Sequence, residues 1–363
     1  MRRRLAAAIA ALVFAAWALR ACTEGSPGGA TSWMPEGAPS AAPGSQPPPP
    51  ATPPPTSTCG DGRAMTVRFY DVGQGLAALV ELPDGRRVLV DTGDEPHRPG
   101  CGECAAENAR LLASLRRDLH GGPIDLLWIT HPHSDHAGGA ESVLEDLPVR
   151  AYVDDGRDTG KPQERRARHA AEARGVPVTV VDPEHRALPL ASRGDVHVAA
   201  VVPAAWPAAC KHDANECSIG LRFDDCRSSV LFVGDAEHEE EGMLDPGGPV
   251  TLLQVAHHGS ETSTSPAFLS KARPRYAVVS AGKPGEGLNR DYCHPRAGVV
   301  RRLSRVLGGA TSGTLAAFDG DRCDRATPAD WVDVPASERL WATERDGDVV
   351  LTTTGDGVFA RAR

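Results

Sequence analysis

The chain has 363 residues, 40% of them hydrophobic and 24% charged, with a formal charge of −9 at pH 7. Those proportions exclude a polytopic transporter and a chain disordered throughout, and at roughly 150 residues per domain the length allows about two units. The acidic balance repels phosphate backbones at long range and gives no general nucleic-acid footprint.

Arg2, Arg3 and Arg4 precede an uncharged run from Leu5 to Leu19, which Arg20 closes. That run is short for a membrane span, which needs about 20 residues, and suits the apolar region of an export leader over residues 1–21. It ends in Leu19-Arg20-Ala21-Cys22, which resembles a bacterial lipobox; the resemblance implies a lipid-bearing Cys22 and an extracytoplasmic protein tethered to the membrane. Arg20 is unusual inside that box, so ordinary secretion or an uncleaved anchor stays open. Without residues 1–21 the chain loses four arginines and no acid, leaving 35 basic against 48 acidic residues, a formal −13.

Residues 22–58 read as a tether. Eleven prolines fall between Thr23 and Thr58, with only Glu24 and Glu36 charged, and such a segment extends at about 3.1 Å per residue where polyproline geometry holds. Residues 59–363 form the folded domain, long enough for one large core. Beyond Cys22 the chain has eight cysteines, Cys59, Cys101, Cys104, Cys210, Cys217, Cys226, Cys293 and Cys323. An even number in an exported chain suggests up to four disulfides, with no pairing chosen by sequence. Cys101-Gly-Glu-Cys104 reads as a structural disulfide, with half a zinc site or a redox pair as the alternatives.

Strands are expected at Met65–Asp71 and Leu76–Leu82, on either side of Gly73-Gln74-Gly75. A third, Arg87–Val90, ends at Asp91-Thr92-Gly93, and a helix follows around Ala105–Leu119. The run Ile124–Thr130 is nearly all apolar, as for a strand covered on both faces, and it delivers the chain into His131-Pro132-His133-Ser134-Asp135-His136. In the second half Ser229–Val233 ends at Gly234-Asp235, Thr251–Ala256 at His257-His258-Gly259-Ser260, and Tyr276–Ser280 leads toward Cys293-His294-Pro295. Strands that end in metal-competent side chains place those groups along one rim, where loops held by a rigid sheet carry chemistry.

Four potential ligands within six residues make His131–His136 the centre of the reading. His131 and His133, two apart on an extended segment, can face one ion, while Asp135 and His136 begin the next turn and can face a second. Imidazole and carboxylate suit Zn²⁺, Mn²⁺ or Fe²⁺ without choosing among them.

The HxHxDH pattern after a buried strand resembles the metallo-β-lactamase superfamily. Tyr70-Asp71-Val72-Gly73-Gln74-Gly75, Asp91-Thr92-Gly93, Asn215 with Ser218, Val233-Gly234-Asp235, His257-His258-Gly259-Ser260, His294-Pro295 and the closing Thr343–Gly347 segment narrow the resemblance. They follow the order of the hydrolase domain of ComEC-type competence proteins, over roughly Met65 to Gly357.

The resemblance implies an α/β fold, a four-layer αββα sandwich with one or two divalent ions, Zn or Mn, at one edge. His131 and His133 would hold the first ion and Asp135 and His136 the second, with Asp235 bridging and His257 completing the second site. Asp135, His258 and His294 would be the catalytic or substrate-contacting groups, with Asp91 and Asn215 bracing the site. Asp71 is a further candidate in the loop before Gly73-Gln74-Gly75.

Two departures stand out. Asn215 occupies the place where many superfamily members have a third histidine, with His212 nearby as an untested substitute, and Leu76 stands where the subgroup has Asp after DVGQG.

The function implied is a metal-dependent hydrolase attacking with a metal-bound hydroxide, a phosphodiesterase or nuclease first. A lactam or lactone hydrolase of the same fold is the alternative within the class; a non-catalytic DNA- or envelope-binding module with a degenerate metal site is the alternative outside it. The partners expected are a phosphodiester substrate, from nucleic acid or the envelope, and the membrane through the N-terminal lipid.

Overall fold

The computed structural model describes residues 62–362. Residues 1–61, including the leader, Cys22, the tether and Cys59, lie outside the described residues, as does Arg363.

The strands are β1 Met65–Phe69, β2 Ala78–Glu81, β3 Arg87–Val90, β4 Leu126–Trp128, β5 Tyr152–Asp154, β6 Val178–Val180, β7 Val196–Val201 and β8 Gly220–Asp225, then β9 Ser228–Phe232, β10 Leu252–Gln254, β11 Tyr276–Val279, β12 Thr311–Phe318, β13 Trp331–Ser337, β14 Leu340–Ala342, β15 Val349–Thr353 and β16 Ala360–Arg361. The helices are α1 Cys104–Leu119, α2 Ser134–Ala137, α3 Ala140–Asp146, α4 Pro162–Ala173, α5 His238–Met243, α6 Pro266–Ala272, α7 Asn289–Tyr292, α8 Ala297–Leu307 and α9 Thr343–Asp346. One sheet runs β16-β15-β1-β2-β3-β4-β5-β6 and the other β14-β11-β10-β9-β8-β7, while β12 and β13 form a separate hairpin.

Side-chain alternation along the strands builds the layers. In β4, Leu126 and Trp128 face the second sheet and Leu127 faces the helices. In β3, Val88 and Val90 point inward and Leu89 outward. The inter-sheet layer holds Met65, Val67, Phe69, Trp128, Phe223 and Phe232, all fully buried. The Phe69 and Phe232 rings meet at 5.6 Å, and the Trp128 indole N–H donates to the Ile219 carbonyl at 2.9 Å, joining the two sheets by a polar contact. Burying each such side chain stabilises by about 1.5–3 kcal/mol. Leu111, Leu115, Val143 and Ala171 of α1, α3 and α4 cover the first sheet, and Phe268, Leu269, Val300 and Leu303 of α6 and α8 cover the second with the β12–β13 hairpin. The result is the αββα sandwich expected.

Every expected strand is present, but, β3 apart, those leading to polar residues stop one or two positions early. β4 ends at Trp128, β9 at Phe232, β10 at Gln254 and β11 at Val279. A side chain aimed across the rim needs a backbone that has left the ladder, so the ligand-bearing residues lie beyond the strands, in the following loops and in the short helix α2. Runs β3–β4 and β9–β10–β11 are parallel, which sends their C-terminal ends to the same rim. Three disulfides join six of the seven described cysteines: Cys101–Cys104, Cys210–Cys217 and Cys293–Cys323. Among the described residues no helix is long and apolar enough to cross a membrane.

Candidate metal centre

The rim of the first sheet is organised by Asp91, the residue after β3. Its backbone is left-handed at φ 55°, a conformation that Asp tolerates better than most residues. One carboxylate oxygen accepts from the Thr130 amide at 2.8 Å, and the other from the Thr130 hydroxyl at 2.7 Å. That second oxygen also lies 2.7 Å from His136 Nδ1. A carboxylate accepts only, so Nδ1 carries the proton and Nε2 presents a lone pair inward.

His131 is fixed by the same logic. The Thr130 hydroxyl gives its hydrogen to Asp91, so it accepts from His131 Nδ1 at 3.1 Å. His131 Nε2 then faces His133 Nδ1 at 3.1 Å and the Asp235 carboxylate at 4.0 Å.

From the second sheet, Gly234 and Asp235 follow β9. A Cβ on Gly234 would fall 2.7 Å from Cβ of Thr130, and its φ of 56° is left-handed, so the close passage of the two rims requires glycine there. The Asp235 amide donates to the Ser218 hydroxyl at 3.1 Å, and that hydroxyl donates to the Asn215 carbonyl at 2.9 Å. After β10, His257 and His258 both adopt left-handed backbone, φ 48° and 52°. His258 Nδ1 donates to the Ser280 carbonyl at 2.8 Å, which turns its Nε2 inward.

Four ligand atoms converge, one each from Asp135, His136, Asp235 and His258, all within 4.8 Å of one another and all from buried residues. His258 Nε2 stands 3.2 Å from His136 Nε2 and 3.4 Å from a carboxylate oxygen of both Asp135 and Asp235. His136 Nε2 is 3.1 Å from Asp235, whose Oδ1 is buried without a hydrogen bond. Two imidazole lone pairs facing each other between two carboxylates are what a divalent cation needs. The donor set therefore fits the metal that the motif implies.

The electrostatics agree. The carboxylates attract positive charge, whether a metal ion on the Nε2 lone pairs or a proton in its place: burial opposes charge on His136, yet Asp235 and Asp91 hold it well above the ordinary histidine range. Burial likewise opposes charge on His258, but Asp235 and Asp135 outweigh it and push the group up to about 9. Against the cost of burial, Asp135 stays ionised through His258 and His136, and Asp235 through His136, His258 and His257. The pocket is built to stabilise positive charge.

One expected assignment changes. His257, anticipated as the last ligand of the second ion, is not among the four converging residues, and His258 is. His257 Nε2 lies 3.8 Å from Asp235, and its Nδ1 is 2.9 Å from the Glu237 carboxylate. With both residues left-handed, the turn carries the second ring under the rim and leaves the first at its mouth.

His294 is buried, with its ring 5.3 Å from that of His257 and its Nδ1 unpartnered. Burial, with His257 and His258 nearby, holds it well below the ordinary histidine range, so it is a neutral imidazole. Asn289 secures it, donating to the His294 carbonyl at 2.6 Å and accepting from its amide at 2.8 Å. Asn215 is buried beside Glu237 and donates to it, while its own Oδ1 has no hydrogen bond. His212 is exposed and outside the cluster. Asp71 lies apart from the four, its carboxylate accepting from the Gly73 amide at 3.3 Å.

Several residues at the rim were not read from the sequence. Glu237 accepts from Thr262 at 2.7 Å as well as from His257. Arg98 donates to the Tyr292 hydroxyl at 2.7 Å and the Ser134 hydroxyl at 3.0 Å and pairs with Asp94. Thr130 and Ser280 set tautomers through groups that carry no motif. Only Glu237, two residues after Asp235, had a positional signal.

Residues 70–283 match the family model described as the metallo-beta-lactamase superfamily. The chain is similar to Recombination protein 2 of Haemophilus influenzae, 30% identical over 239 residues that cover 65% of this chain and 26% of that protein. It is also similar to ComE operon protein 3 of Bacillus subtilis, 30% identical over 276 residues, 69% of this chain and 32% of that protein. Competence protein ComA of Neisseria gonorrhoeae is 30% identical over 246 residues, with 65% and 29% covered. The aligned part spans between a quarter and a third of the length of these relatives.

Proposed function

The chain belongs to the metallo-beta-lactamase superfamily, and on that footing we propose that it is a metal-dependent hydrolase of phosphodiesters, exported and held at the membrane by a lipid on Cys22. The observation that carries the hydrolase reading is the convergence of Asp135, His136, Asp235 and His258, with His131 and His133 alongside. Relatives named for recombination and competence support a phosphodiester over a lactam or lactone.

His136, Asp135, Asp235 and His258 would hold one ion, and His131 and His133 with Asp235 a second. Such an ion supplies Lewis acidity toward a phosphoryl oxygen and acidifies water. The protein's own groups do the rest. Asp91 and the Ser280 carbonyl keep the His136 and His258 lone pairs pointed inward. Glu237 holds the proton of His257 on Nδ1, so Nε2, beside Asp235 at the mouth of the site, is the atom that exchanges a proton with the substrate. Neutral His294, facing His257, offers a hydrogen bond without adding charge.

Purified full chain assayed for bound metal and for hydrolysis of bis(p-nitrophenyl) phosphate with Mn²⁺ or Zn²⁺ tests the reading. Metal-dependent turnover abolished by His133→Ala is expected. Absence of bound metal, or turnover indifferent to that substitution, would sink it. For the anchor, Cys22→Ala should move the protein from the membrane fraction to the soluble one.

A further inference from the structure

The opposite end of the second sheet, where β9, β10 and β11 begin, opens as a cleft of about 430 Å³. Four guanidiniums line it, those of Arg222, Arg227, Arg273 and Arg275, against two carboxylates, Asp224 and Asp356. Asp224 is occupied by Arg222, at 2.9 Å from its Nε, and Asp356 accepts from the Val358 amide at 3.0 Å. Arg275 donates to the Gly357 carbonyl at 2.8 Å, and among the described residues no ion pair or hydrogen bond answers the Arg227 and Arg273 guanidiniums. Arg273 also lines a neighbouring groove between α6 and α8, of about 710 Å³, together with Arg305 and Val306. Val306 is 43% exposed. A surface with this excess of arginine is unusual in a chain whose formal charge is −9.

We propose that this foot is a phosphate-binding surface that seats the folded unit on the anionic headgroups of a phospholipid bilayer. Guanidinium forks match phosphate oxygens in geometry and hold their charge at every working pH. The exposed Val306 beside Arg305 supplies an apolar contact at headgroup depth. The entry of the chain selects a lipid surface over a soluble polyanion. Met65 opens β1 opposite Thr353 of β15, and the Thr353 hydroxyl is 2.7 Å from that of Ser228, which lines the cleft. The described chain therefore begins at the arginine end of the folded unit, and the histidine cluster occupies the other end of the same strands. A unit seated on this foot holds its metal centre away from the bilayer. The choice of a bilayer rests on the proposed Cys22 anchor, and the proposal does not depend on the hydrolase reading.

The test is co-sedimentation of the full chain carrying Cys22→Ala, which no lipid can hold, with vesicles of phosphatidylcholine alone and of phosphatidylcholine mixed with phosphatidylglycerol. Partition is expected to favour the anionic vesicles and to weaken as salt is raised. The double variant Arg227→Gln, Arg273→Gln should lose roughly 30-fold on anionic vesicles, the fold-change for two arginines at about 1 kcal/mol each. Arg227→Lys with Arg273→Lys should retain most of the partition, which separates charge from any packing effect. Hydrolysis of a soluble ester and the melting temperature should be unchanged in both variants. Equal partition of the Cys22→Ala chain with and without the two glutamine substitutions on anionic vesicles would overturn the proposal. So would arginine-dependent binding of a DNA oligonucleotide or inorganic phosphate without preference for anionic vesicles, which would reassign the cleft to a soluble phosphate ligand.

Discussion

Asp91 and His136 lie 2.7 Å apart, carboxylate oxygen to Nδ1, with both side chains fully buried. Because the same carboxylate takes both hydrogens that Thr130 offers, it has no spare donor and fixes the His136 tautomer by chemistry alone. Asp91→Asn replaces one acceptor oxygen by an NH₂ group and removes that control. Metal affinity should fall roughly 10–100-fold, the usual cost of losing a hydrogen-bond partner behind a ligating histidine. Competition against a chelator measures it. Unchanged affinity, in a variant with the wild-type circular dichroism spectrum, would show that Asp91 is not acting through His136.

The neighbouring histidines His257 and His258 should separate cleanly. His258→Ala removes one of the four converging groups, so calorimetric titration with Zn²⁺ should show a loss larger than that of Asp91→Asn. His257→Ala leaves those four in place and should keep the stoichiometry while lowering turnover about 10²–10⁴-fold, the range for a lost proton-transfer group. The reverse pattern would restore His257 as the ligand.

This pair marks the boundary of what the sequence could tell. HxHxDH, Asp235 and the strands behind them were legible because a buried strand must be apolar and a polar cluster at its end has few structural reasons to exist. Which of two adjacent histidines turns inward was not legible, because it rests on two left-handed backbone positions, 257 and 258, that no hydrophobic period encodes. Asp91 was visible as a bracing carboxylate. Its dependence on Thr130, and that of His258 on the Ser280 carbonyl, required the two sheets to be placed face to face. Arg98 and Tyr292, 194 positions apart, meet only in the fold. The hairpin β12–β13 was missed as well; the first four residues of β12 are exposed and show no alternation.

Beyond the metal centre, Glu241 predicts a pH effect on stability. It is fully buried in α5 and accepts the Thr264 and Ser265 amides. Burial pushes it from 4.5 up to about 7, against the pull of those hydrogen bonds. Between those two values the folded state binds the proton more tightly than the unfolded state, so its contribution to stability is greatest in acid. That contribution declines as pH rises through the window and is level above about 7. Glu241→Gln is neutral throughout, so its melting temperature relative to wild type should climb from acid pH to about 7 and then flatten. Taking the difference cancels the other titrating groups. A difference independent of pH would contradict the assignment.

Gly75 connects the DVGQG segment to the metal centre through the backbone. A Cβ built there would stand 2.6 Å from the Asp135 carbonyl oxygen, and the next amide, Leu76, donates to that same oxygen at 3.0 Å. The loop thus props the turn that aims Asp135 and His136, and it does so only because position 75 has no side chain. Leu76, which stands where the resembled subgroup has Asp, is fully buried among the inter-sheet residues, so its contribution is packing and that backbone bond. Gly75→Ala cannot be relieved by rotating a side chain, because the obstructing atom belongs to the main chain. It should cost about 1–3 kcal/mol of stability, the range for overpacking a tight contact, and should lower metal affinity although no ligand has changed. Denaturant unfolding and chelator competition on one preparation measure both losses. Loss of stability with metal affinity intact would mean that the turn from His131 to His136 holds its shape without the loop.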